Sequence, residues 1–199
     1  MTYWITAETK KGFTLIELMV GMGIAMVMLA AVTSTFISQT KIYNAQEQVN
    51  EMQQSARGAI DLMIRELKMA GYNPAEAAFV GVTYNSTQLM IQADLDGDGE
   101  ISTSSADYEQ ITYAYDSANK RITRALGVGG AQSLAENVTA FTFGYLDNAG
   151  NATTDSAAIR QVSVQITSQT SKPDPDYNSN GGYRSYTVSA TITPINLAL

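Results

Sequence analysis

One carboxylate near the head of a long apolar run limits what this chain can become. Between Lys11 and Lys41 the only ionisable residue is Glu17. The stretch Leu18 to Val32 carries no charge, and its apolar character continues to about Ile37. At ~1.5 Å per residue, about 20 helical residues cross the ~30 Å hydrocarbon core, so the segment reads as membrane-inserted. Lys10 and Lys11 precede it and no further base follows until Lys41. That asymmetry keeps the N-terminus cytoplasmic and sends the rest of the chain outward. The run exceeds the ~7–15 residues of a signal-peptide core, although Ala30-Ala31 and Thr33-Ser34 provide small residues compatible with signal cleavage. A carboxylate deep in lipid costs roughly 2.5–3.5 kcal/mol, so Glu17 is a functional group in search of a cation. Only the lysines just before it lie near in sequence.

The segment Lys11-Gly12-Phe13-Thr14-Leu15-Ile16-Glu17-Leu18 resembles the processing site of type IV prepilins and of the pseudopilins of type II secretion. The resemblance implies that residues 1–12 are a leader, cut after Gly12 by a prepilin peptidase that then methylates the new amine of Phe13. Glu17 becomes the fifth residue of the mature chain and neutralises the N-terminal ammonium of a neighbouring subunit during assembly. A buried charge that is intolerable alone is tolerated when paired. The implied location is the bacterial inner membrane before assembly, single-pass with the N-terminus cytoplasmic. Afterwards it is the pilus and cell surface, or the periplasm.

Beyond the leader the pattern is helical, apolar all round over residues 13–37 and amphipathic over 38–71. Apolar or small residues at Ile42, Ala45, Val49, Met52, Ala56, Ala59 and Met63 step by three and four, which makes one stripe on a helix that packs on the chain's own sheet. Ala70-Gly71-Tyr72-Asn73-Pro74 stops the helix, giving an expected span from Phe13 to about Ala70. No proline precedes Pro74, and Ser34 stands where the resembled family carries a helix-breaking proline. That departure favours a minor pilin or pseudopilin over a bulk subunit.

Residues 72–199 change to a period of two. Phe79–Tyr84 and Gln88–Ala93 predict a hairpin through Asn85-Ser86-Thr87. Further strands are expected at Glu109–Tyr115, Arg121–Ala125, Val138–Tyr145, Ile159–Thr167 and Tyr183–Thr193. The fold class is therefore α+β: a long N-terminal helix, its first half transmembrane, on an antiparallel β body. The pilin resemblance implies the same architecture.

Composition narrows the chemistry. Histidine and cysteine are both absent, which removes the commonest general base, the commonest zinc ligand and the usual Ser-His-Asp and Cys-His catalytic sets. No enzymatic activity is expected. Net charge is −7, which argues against nucleic acid as the main partner. Lys120, Arg121 and Arg124 read as solvated strand surface.

An acidic loop is the strongest chemical constellation. Asp94-Leu95-Asp96-Gly97-Asp98-Gly99-Glu100-Ile101-Ser102 matches the first nine positions of an EF-hand-type calcium loop. Asp94, Asp96 and Asp98 alternate, Gly99 makes the turn, Glu100 offers its carbonyl, and Ser102 follows. The twelfth position is Ser105 rather than glutamate, so Asp107 or Glu109 is left to close the set. From Met69 to Asn119 the chain holds Glu76, Asp94, Asp96, Asp98, Glu100, Asp107, Glu109 and Asp116, with no Lys or Arg. Uncompensated, such charges repel, which favours Ca2+ as a cofactor. The loop Ser171–Tyr183 offers Asp174, Asp176 and Asn178 as a lesser candidate.

Arg65–Pro74, the acidic loop, Lys172-Pro173-Asp174-Pro175 and Thr193-Pro194-Ile195-Asn196-Leu197 together resemble PilW-type minor pilins, relatives of the J-type pseudopilins. The expected function is a minor pilin that initiates assembly or forms the filament tip. Its expected partners are other minor and major pilins, the prepilin peptidase and the inner-membrane assembly machinery. Two alternatives are a type II secretion pseudopilin and a calcium-dependent adhesin on a pilin-type anchor.

Overall fold

The computed structural model describes residues 12–197, so the leader apart from Gly12, with Lys10 and Lys11, lies outside the described residues. The chain divides into two compact units, Met1–Gln46 and Glu47–Leu199. Helix α1, Leu15–Met69, belongs to both. Its residues from Leu15 to Asn44 are exposed and include one stretch apolar enough to cross a membrane, with mean hydropathy 2.3 over 18 residues. Leu15, Ile16, Leu18, Met19, Val20 and the apolar residues through Ile37 all face outward. An apolar surface this continuous is stable only in lipid or against other chains.

In the second unit the same helix has one buried face. Met52, Ala56, Ala59, Ile60, Met63 and Leu67 are buried, and the small Ala56 and Ala59 let the helix sit close to the strands. The sequence stripe is thus buried from Met52 onward, whereas Ile42 stays exposed. Gly71 ends the helix at φ 76, a left-handed conformation that glycine adopts without a Cβ penalty.

Among the described residues, eight strands form two antiparallel sheets. The first has the order β1 (Val82–Thr83), β2 (Gln88–Gln92), β3 (Gln110–Asp116), β4 (Arg121–Leu126) and β5 (Gln132–Ala135). The second has β6 (Val138–Leu146), β7 (Gln161–Gln169) and β8 (Ser185–Ile192). Alternation along β7 buries Val162, Val164, Ile166 and Ser168, and one continuous apolar core joins both sheets to the helix.

The expected hairpin forms, with Val82 opposite Ile91, but its first strand is only two residues long. The Gly81 carbonyl still accepts from the Gln92 amide at 2.8 Å, but the backbone there is pressed against the helix terminus. The Gly71 amide donates to the Gln92 carbonyl at 2.9 Å, and a Cβ at Gly81 would lie 2.3 Å from the Gly71 nitrogen. Gly81→Ala is therefore expected to destabilise the protein by about 1–3 kcal/mol, as overpacking against backbone does. Thermal unfolding of the purified variant checks this; an unchanged melting temperature would show that the segment moves freely.

Two differences from the sequence reading have clear causes. β5 was not expected, because Gln132-Ser133-Leu134-Ala135 has no β-branched or aromatic residue; it forms by pairing with β4 across a register shift at Ile122 and Thr123. Arg124 is not solvated surface. It sits opposite Tyr113 in the β3–β4 ladder and reaches Glu66 of α1, with Nη2 at 2.6 Å and Nε at 3.1 Å from Oε1. The Tyr113 hydroxyl donates to the other Glu66 oxygen. Tyr113 is wholly buried and Glu66 is 6% exposed. Arg121 pairs with Asp116 at 3.0 Å and stays part-exposed, and Lys120 is exposed in the turn before β4.

Candidate functional site

Two places carry chemistry, and the first is the head of α1. Phe13 is exposed, and nothing lies within 4 Å of a Cβ built on Gly12. The Thr14 amide and hydroxyl both donate to Glu17 Oε2 at 2.9 Å, and the Glu17 amide returns a bond to Thr14 Oγ1 at 3.3 Å. These reciprocal bonds are a capping box, in which a threonine and a glutamate three residues on satisfy the free amides of a helix start. The pattern Thr-x-x-Glu ahead of an apolar run was present in the sequence and is the signal that reading passed over. The box spends only one carboxylate oxygen. Among the described residues, Glu17 Oε1 has no hydrogen-bond partner, so it can accept a cation from outside the chain.

The second place is the acidic loop between β2 and β3. The structure brings together Asp94, Asp96 and Glu109, whose nearest oxygens all lie within 4.8 Å of one another. Asp94 and Glu109 are buried and Asp96 is exposed. Glu109, rather than Asp107, is thus the acid that joins the first two aspartates. Asp107 instead accepts from the Ser102 hydroxyl at 2.6 Å. Asp98 turns to the Glu100 amide at 2.8 Å.

The buried acids are not bare. Asp94 accepts from the Gly97 amide at 2.7 Å and the Gly99 amide at 3.1 Å. Glu109 accepts from Leu95 and Ser102 amides, each at 2.8 Å. Backbone dipoles thereby offset part of the repulsion that the sequence assigned wholly to a metal, and each oxygen keeps a second lone pair. The Asp96 carboxyl is held down by the Asp98 amide, but desolvation and the charges of Asp98, Glu109 and Asp94 together raise it above the usual aspartate value. The Asp94 amide donates to the Tyr72 carbonyl at 2.8 Å, so the loop also ties the segment after α1 to the first sheet. In the 171–183 loop Asp174 is engaged by Arg184 at 2.8 Å, which spends the carboxylate that reading offered to a metal.

Residues 9–33 match the prokaryotic N-terminal methylation motif. That span contains Gly12, Phe13, Thr14 and Glu17, and it heads a long apolar helix whose second half packs on antiparallel sheets. The head of this chain carries a prepilin-type N-methylation motif. No curated protein matches it. Among solved structures it is similar to a type IV-like pilin from Thermus thermophilus, at 13% identity and a TM-score of 0.48, over 73% of this chain and 98% of that one. The motif implies processing by a prepilin peptidase and assembly with other pilins, and the helix fits membrane anchoring before that assembly.

Proposed function

We propose that this pilin-like protein is a minor type IV pilin that primes filament assembly or caps the tip. The observation that carries the reading is the capping box at Thr14 and Glu17, which leaves one carboxylate oxygen open at the head of an exposed apolar helix. Cleavage after Gly12 would place the methylated Phe13 amine at that same helix end. The amine of an incoming subunit and Glu17 of a resident one then neutralise each other in an apolar core, where each alone is costly. Support for a minor subunit comes from α1 itself, which runs Leu15–Met69 as one helix with Ser34 in place of a proline. The body motifs support a PilW-type assignment. The final location would be the pilus or, for a pseudopilin of type II secretion, the periplasm.

Deleting the gene tests the reading. A primer is needed in few copies, so deletion should leave few or no filaments while bulk pilin accumulates in the membrane. Normal filaments that have lost only adhesion would favour the adhesin alternative. Normal filaments with lost protein secretion would favour the pseudopilin.

We propose further that the acidic loop binds one hard divalent cation, calcium, through Asp94, Asp96 and Glu109. The support is a donor set made wholly of carboxylate oxygens, the chemistry such ions select. The cation would stiffen the connection between the end of α1 and the first sheet. Saturating calcium at ~100 times its Kd would add about 2.7 kcal/mol to the full-length protein in detergent. Asp96→Asn should abolish that gain with little change in the calcium-free melting temperature, because Asp96 is exposed. No stabilisation at ~10 mM calcium, above the weakest natural modules, would overturn the assignment.

A further inference from the structure

We propose that the free edge of β8 accepts an added β-strand from a different subunit of the assembly. β8 is the outer strand of its sheet and pairs with β7 over eight residues without a register break. The Thr170 amide donates to the Arg184 carbonyl at 2.9 Å, one step before β8 begins, and this fixes the phase of the ladder. Antiparallel pairs alternate between bonded and non-bonded positions. Tyr186, Val188, Ala190 and Ile192 therefore spend their backbone groups on β7. Ser185, Thr187, Ser189 and Thr191 turn theirs outward. All four are exposed, and among the described residues nothing bonds their backbone on that side.

Natural sheets blunt a long edge with charge, proline, a bulge, brevity or a covering segment. The other edges here are blunted in these ways. β1 has two residues, and β5 has four with a register shift. β6 carries a shift between Val138 and Ala140, and its ends are bonded to Lys120, Thr153 and Arg160. β8, Ser-Tyr-Thr-Val-Ser-Ala-Thr-Ile, has none of these devices. The face beside its edge is equally neutral: Thr187, Ser189 and Thr191 stand opposite Thr167, Gln165 and Ser163. In a chain of net charge −7, that neutrality matches an uncharged extended segment, held by main-chain bonds as in strand addition.

The occupant is not a second copy. This step rests on the filament reading above. Copies in a polar filament all point the same way, whereas antiparallel pairing of two β8 edges needs a twofold axis across the filament. Head-to-tail addition would need another edge of the copy, and those are short or already bonded.

Hydrogen–deuterium exchange over residues 183–193 tests the proposal on the full-length protein, alone in detergent and within filaments or membrane assemblies from its own cells. The outward amides should exchange quickly alone and at least ~10-fold more slowly in the assembly. Ser189→Pro removes an outward amide without touching the β7 ladder, and should abolish the protection while the isolated protein still melts normally. Thr187→Lys serves the same purpose should proline prevent folding. Fast exchange in assemblies that contain the chain would overturn the proposal and leave the pilin reading standing. Protection that grows with concentration in the isolated protein would overturn it by making a second copy the occupant. Absence of the chain from every assembly would overturn both.

Discussion

Arg124→Ala should lower the melting temperature by about 10 °C, the largest effect expected of a single change in the body. The substitution strands the Glu66 carboxylate at a buried position, where its partners are Arg124 and the Tyr113 hydroxyl. Breaking one side of a buried pair costs roughly 3–5 kcal/mol, and a chain of this size loses ~2–4 °C per kcal/mol. Replacing Glu66, Tyr113 and Arg124 together with Met, Phe and Met should recover much of the loss, since the uncompensated charge disappears. A shift of less than ~2 °C for Arg124→Ala would show that water reaches Glu66.

The same cluster sets the response to alkali. Burial raises the Tyr113 hydroxyl, and its bond to Glu66 raises it further; burial likewise pushes Tyr145 up to about 12. Both native values lie above the unfolded value of ~10. Below that pH both states hold the protons and the full stability is present. Above it the unfolded chain ionises first, so stability falls progressively as pH rises. Tyr113→Phe should flatten that fall in melting curves taken across the range.

Glu17→Ala should reduce incorporation into filaments by ~100-fold or more, because the incoming ammonium would enter the apolar core unpaired. The variant should still be cleaved and still sit in the membrane, which separates assembly from processing. Thr14→Val removes the hydroxyl that holds Oε2 and leaves Oε1 as it was. Its cost is that of a lost cap, ~1 kcal/mol, and incorporation should fall only about fivefold. Quantitative blotting of sheared and membrane fractions reads both. Normal incorporation of Glu17→Ala would remove the carboxylate from the assembly mechanism.

The long helix was legible because a lone acid in an apolar run, a stripe stepping by three and four, and a Gly-Pro stop are all local signals. The strands with clear alternation were legible for the same reason. β5 was not, since nothing in Gln132–Ala135 favours a strand apart from its neighbour β4. The Glu66 cluster was missed although a signal existed: the step after Ala59 and Met63 on the buried stripe lands on an acid. An acid there must be paired, but its partners Tyr113 and Arg124 are 47 and 58 residues away, and only the β3–β4 register places them side by side. In the acidic loop the spacing identified Asp94 and Asp96. It took Asp107 into the set with Glu109 as the alternative, whereas the pairing of Ala93 with Glu109 just before β3 brings Glu109 beside the two aspartates.

The most direct measurement is mass spectrometry of the N-terminal peptide, on sheared filaments and on membranes separately. The expected result is a peptide beginning at N-methylated Phe13, present in the sheared fraction in far fewer copies than the bulk subunit. An intact Met1, or cleavage near Ala31, would contradict it and leave an anchored or secreted domain whose Glu17 has no cation to meet.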